Sequence, residues 1–137
     1  MLALEPAIVQ RLRASLAEVW TVKGMFSDAG KREPDLFASV MFGDADVPAS
    51  EVPGVLVRPL WLVTLVGRRA DAEAAPQLDS AFALVIEALH GWAPGQVTGR
   101  RWERLQLVRV KPPPFLENGL VGIELAFSTS ARFDGQP

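Results

Sequence analysis

The segment Val55–Val66, VLVRPLWLVTLV, constrains this chain more than any other. As an extended strand it places Val55, Val57, Pro59, Trp61, Val63 and Leu65 on one parity. Leu56, Arg58, Leu60, Leu62, Thr64 and Val66 fall on the other. Successive side chains of a strand point to opposite faces. Both faces are therefore largely apolar, and both need cover. Pro59 removes one ladder donor, which predicts an edge or a bulge near the beginning of the strand.

The flanking segments supply part of that cover. Leu4, Ile8, Leu12, Leu16 and Val19 recur at three- and four-residue steps, which predicts a helix from about Glu5 to Glu18. Pro6 is tolerated in its first turn, and Arg11, Arg13 and Glu18 take the wet side. Trp20–Phe26 alternates as a short first strand, and Leu36–Phe42 has strand content between Pro34 and Gly43. A second helix runs from Pro76 to His90, buries Leu78, Phe82, Val85, Ile86 and Leu89, and meets a C-capping glycine at Gly91. Arg101–Val110 and Leu120–Ser130 read as two closing strands. KPPPFLENG joins them, stiffened by Pro112, Pro113 and Pro114 and presenting Phe115 and Leu116 at an exposed tip.

The expected fold class is α+β, a mostly antiparallel or mixed sheet in the order α-β-β-β-α-β-β with both helices packed on one face. One domain over residues 1–137 is expected, with long loops at about 27–35, 43–54 and 111–119. Two helices can cover one face of Val55–Val66. The other face then needs a neighbouring subunit or a loop folded back.

Composition excludes several kinds of chemistry. There is no cysteine, hence no disulfide, no thiolate nucleophile and no Cys-ligated metal centre. His90 is the only histidine, so any His-based triad or multi-His metal site fails. Its place in the last helical turn suits a cation at the negative end of the helix dipole. A net charge of −2 argues against a dedicated nucleic-acid binder, leaving at most non-specific contact with passing DNA. No apolar run approaches the roughly 20 residues needed to span a bilayer, so no membrane is expected. MLALEPAIVQRLRASL lacks the basic start and unbroken apolar run of a signal peptide.

The remaining polar groupings do not build a reaction centre. Asp44, Asp46 and Glu51 lack the ligand spacing of a calcium loop, and Gly91, Gly95 and Gly99 lack the Lys-Ser/Thr pair of a phosphate cradle. No cofactor, no metal and no catalytic residue is expected. Arg68-Arg69 and Arg100-Arg101, with Arg104, Arg109 and Lys111, either form a basic patch facing DNA or an acidic partner, or are scattered solvated charges. Four tryptophans without a tyrosine provide large apolar surfaces suited to interfaces. A small ligand-binding or enzymatic domain is the competing reading, with a pocket under residues 43–54 bordered by Asp44, Asp46, Arg58 and His90.

The series EPAIVQRLRASL, GVLVRPLWLVTLVGRR, PQLDSAFALVIEALHGW, RWERLQLVRVKPPP and LVGIELAFSTSARF resembles, in that order, the tailed-bacteriophage tail terminators of the lambda U-like minor tail protein family. The resemblance implies a virion protein without enzymatic activity, assembled in the host cytoplasm. It would form a homo-hexameric ring that caps the tail tube, ends tube polymerisation and offers a surface for head–tail joining. Its partners would be copies of itself, the tail-tube protein and the head–tail connector. Other head–tail completion and tail-tube proteins share related folds. Trp61, Phe115 and Leu116 are the expected contact residues, and Arg68, Arg69, Arg100 and Arg101 the expected docking or DNA-lining groups.

Overall fold

A computed structural model describes residues 1–26, 36–49, 52–114 and 116–134. The expected loop at 27–35, with Phe115, Ser50 and Glu51, lies outside them. The elements are α1 (Leu4–Ser15), β1 (Thr21–Gly24), β2 (Phe37–Asp46), β3 (Val55–Arg68), α2 (Ala74–Leu89), β4 (Gly95–Val97), β5 (Arg100–Trp102), β6 (Gln106–Lys111), β7 (Leu120–Ser128) and β8 (Ala131–Phe133). The main sheet has the order β1-β2-β3-β7-β6, and β8 pairs with β3 off that path. Among the described residues only β1 and β2 pair in parallel; the other pairs are antiparallel.

This is the α+β class and element order expected, with small additions. Residues 91–99 and the expected strand Arg101–Val110 instead form the β4–β5 hairpin, a break, and then β6. Thr98 and Gly99 both have positive φ, 52° and 76°, as a two-residue hairpin turn of this hand requires. The break is anchored by Leu105, fully buried, whose N–H donates to Trp92 O at 2.8 Å. Residues 43–46 belong to β2, so the expected loop at 43–54 shortens by that much.

The odd face of β3 is the centre of the core. Trp61, Val63 and Leu65 are fully buried, with Val40, Leu125 and Phe127 from β2 and β7 on the same face. Leu4, Ile8 and Leu12 of α1 and Leu78, Val85 and Leu89 of α2 close over them. Phe42 meets the Trp61 ring edge-on at 5.8 Å and 64°. Two details of the helices differ from the pattern. α1 ends at Ser15, so Val19 is 55% exposed and Trp20 takes the buried place. α2 is rotated so that Ala81 and Ala88 are buried while Phe82 and Ile86 are only half-buried, because small residues let α2 approach α1 and the sheet. Arg11 fastens the two helices. Its Nε donates to Ala88 O at 3.1 Å, in the last turn of α2, and its guanidinium lies 5.4 Å from the Trp92 ring. Cations are favoured at that end of a helix.

Pro59 marks an irregular level across the sheet, as its chemistry requires. On one side, β2 shifts register between Phe42 and Ala45. On the other, β7 ends at Ser128 and β8 begins at Ala131. Thr129 N–H donates to Pro59 O at 3.4 Å, but Pro59 has no N–H to return the bond of a normal pair.

The even face of β3 is covered at one end by the β6–β7 connection. Pro113 and Leu116 lie against Gly122 of β7, and a Cβ there would sit 3.0 Å from Pro113 Cγ and 2.7 Å from the Leu65 carbonyl oxygen. Val66, the partner of Gly122, is buried there, and Phe37 beside it is buried with Lys23 Nζ 5.0 Å from its ring. Gly122→Ala is therefore expected to lower stability by about 1–3 kcal/mol through forced backbone movement. Urea unfolding checks this, and an unchanged midpoint would contradict the close approach.

Candidate assembly surface

Beyond the strap the even face stays open. Leu60 and Leu62 of β3 are half-buried, and Met41 of β2, the cross-strand partner of Leu62, is 38% exposed. Ser128 of β7 and Val108 of β6 continue the surface, while Ala126, level with Leu62, is buried. Two shallow depressions cross it. One is lined by Asp44, Asp46, Arg58, Leu60, Gln106, Val108 and Ser128. The other adds Met41, Leu62, Arg109, Lys111, Pro114 and Glu124. An apolar strip is thus bordered by acidic groups on the β2 side and basic groups on the β6 side.

Glu124 on this face is buried, and Lys111 Nζ lies 3.7 Å from its Oε1. The two are cross-strand partners in the β6–β7 ladder. A buried carboxylate needs such compensation, and Lys111 is held over the face as a result. Nothing here resembles an acid–base pair or a nucleophile with its base. Among the described residues no group of three or more His, Asp or Glu could hold a metal ion.

The structure separates several residues that sequence grouped. The Trp61 side chain is fully buried inside the protomer, on the helix-covered face, and its Nε1 has no hydrogen-bond partner among the described residues. It cannot itself touch a partner while the core is intact; its strand neighbours Leu60 and Leu62 are the ones turned outward. Leu116 is half-buried against its own sheet rather than carried on a projecting tip, and Phe115 lies outside the described residues.

The arginines do not form one patch. Arg68 and Arg69 stand at the end of β3, where Arg69 N–H donates to Gly119 O at 2.7 Å. Arg100 and Arg101 stand at the other end, because β8 pairs with Val55–Val57 and Arg100 lies on β8. The Arg100 guanidinium is 3.7 Å from the Phe133 ring and its Nε donates to Arg132 O. The 14 residues of β3 put the two pairs on the order of 40 Å apart.

The competing pocket is divided in the same way. Asp44, Asp46 and Arg58 share an open depression, but His90 lies at the end of α2, on the helix side. Its Nδ1 accepts the Leu107 N–H at 3.1 Å, beside the register shift in β6. That bond gives His90 a structural task.

Sequence reasoning missed three polar ties. Glu5, read only as the start of the first helix, is buried, its Oε1 accepting the Phe26 N–H at 2.9 Å. Arg13 reads as solvated yet donates from Nε and Nη2 to Val22 O, at 3.1 and 2.8 Å. Lys111 and Glu124 form the third. Their only sequence signal is the period of two, which puts Glu124 on the same face as Gly122 and Ala126.

No protein-family model matches this sequence, and no curated protein is significantly similar to it. Solved structures are similar. A chain of the virion of a native gene transfer agent particle superposes with a TM-score of 0.64 and 25% identity, covering 95% of each chain. A chain of the PVC sheath/tube terminator, from an extracellular contractile injection system in its extended state, matches with a TM-score of 0.59 and 14% identity. That match covers all of this chain and 57% of the other. The first neighbour belongs to a virion and supports a structural role for this fold; the second, at 14% identity, shows likeness of fold alone. No described helix is long and apolar enough to cross a membrane.

His90→Ala is expected to cost about 0.5–1.5 kcal/mol through loss of the acceptor for Leu107 N–H. His90→Gln, which keeps an acceptor, should recover part of that in a urea titration. A His90→Ala protein as stable as the parent would remove the structural assignment.

Proposed function

We propose that this chain is a tail terminator, a protein that closes into a homo-hexameric ring on the end of a tail tube, stops tube growth and presents its other side to the head–tail connector. The observation that carries the reading is the superposition with a gene transfer agent virion chain over 95% of both chains. The terminator fold match adds to it as likeness of fold. The order of the sequence segments also resembles that of the lambda U-like family.

The physical reading agrees with that role. Capping requires binding surfaces rather than chemistry, and the open face offers apolar area framed by charge. A ring arises when one patch meets a different patch on the next copy and the rotation closes. In such a ring the outward residues of β3, Leu60 and Leu62, serve where Trp61 cannot, and Leu116 and Phe115 are the further contact residues put forward from the sequence. Arg68-Arg69 at one end of β3 and Arg100-Arg101 at the other give the two ends separate basic groups for docking or for facing DNA.

The test is mass and shape. Light scattering after size exclusion, over a range of protein concentration and with purified tail-tube protein added, should find a species of six copies of the 14.9 kDa chain. Negative-stain images should show rings at tube ends. A protomer that neither assembles nor arrests tube growth would overturn the proposal.

A further inference from the structure

We propose that the ring contact is a strand pairing: β6 of one copy adds to the bare half of β2, Met41–Asp46, of the next, so that one sheet continues from subunit to subunit. This rests on the ring proposed above and assigns it specific surfaces. The occupant of each edge is a second copy of this chain.

Edges decide the matter. β1 pairs with β2 only over Phe37–Val40, and past Val40 the other side of β2 carries no strand among the described residues. β6 is the last strand at the opposite margin. The margin at β1 is closed: α1 packs along it, and Arg13 takes the Val22 carbonyl with two donors. An unpaired edge is a template for another strand unless it is blocked. Among the described residues two open edge stretches remain, each beside a register shift: Met41–Asp46 of β2, shifted between Phe42 and Ala45, and Val108–Lys111 of β6, which begins past the Leu107 N–H held by His90.

Their chemistry is complementary. The β2 edge carries Asp44 and Asp46, and the β6 edge carries Arg109 and Lys111. Exposed apolar side chains gather at both: Met25, Phe26, Met41 and Val47 at one, Val108 and Val110 at the other. Strand direction also fits. β2, β3, β7 and β6 alternate in direction, so β6 meets the next copy's β2 antiparallel when the sheet simply continues. The paired stretches lie at different heights along β3: Met41 and Asp46 are level with Leu62 and Arg58, whereas β6 reaches the level of Thr64 through Glu124. A stagger of this sort is what a closed sheet needs. Like charges on both edges of one variant would repel, which provides the control against promiscuous pairing.

Two variants test this. Asp44→Lys with Asp46→Lys makes both edges basic, and Arg109→Glu with Lys111→Glu makes both acidic. Each alone, folded by circular dichroism, is expected to associate at least about tenfold more weakly than the parent. An equimolar mixture is expected to regain the parent mass as an alternating ring. Variants that assemble like the parent, or a folded mixture that does not assemble, would overturn the edge contact while leaving the terminator reading standing. Hydrogen exchange on the parent needs no variant: amides of Val108–Lys111 should exchange more slowly in the assembly than in the dilute protomer. Equal exchange would overturn the contact. A parent that never assembles would instead sink the ring itself.

Discussion

Everything in this fold answers to β3, a strand with apolar side chains on both faces. Water must be kept from Trp61, Val63 and Leu65 on one face and from Leu60, Leu62 and Val66 on the other. Burial of such side chains is worth about 1.5–3 kcal/mol each, so neither face can be left wet without cost. The two helices solve the first face completely. The strap of Pro113 and Leu116 solves the second only as far as Val66, and the rest is the surface from which a functional reading can be built.

How much of this was legible beforehand depended on how local the signal was. Period-two alternation in Val55–Val66 and Leu120–Phe127 identified both central strands and their core faces, because burial on one side imposes that pattern directly. Helix α2 was legible in extent but not in rotation: Ala81 and Ala88 are weak hydrophobic signals, yet small side chains are what a close helix contact selects. Pro59 announced an irregularity, and the structure supplies one on each side of it. The β4–β5 hairpin was obscured because its turn is Thr98-Gly99, and threonine seldom marks a residue of positive φ.

The surface was less legible than the fold, for a physical reason. Arg68-Arg69 and Arg100-Arg101 look alike in sequence, and only the pairing of β8 with the beginning of β3 shows that they stand at opposite ends. Trp61 looked like a contact residue by composition, while its parity on β3 commits it to the core. His90 read as a structural residue at the helix end, but its partner, the Leu107 N–H on Nδ1, was not visible in the sequence. Which side chains reach a partner is set by long-range pairing, and that is invisible to periodicity.

The absent rung at Pro59 has a mechanical meaning. Stiffness in a sheet comes from reciprocal hydrogen bonds repeated along each pair of strands, and at this height neither neighbour of β3 keeps its regular ladder. The domain therefore has a crease: a stiff upper panel of β2, β3, β7 and β6, and a smaller lower panel of Val55–Val57 with β8. That level, where Pro59 offers no N–H, lies between the arginine pairs at the two ends of β3 and is where reciprocal bonds between them are fewest.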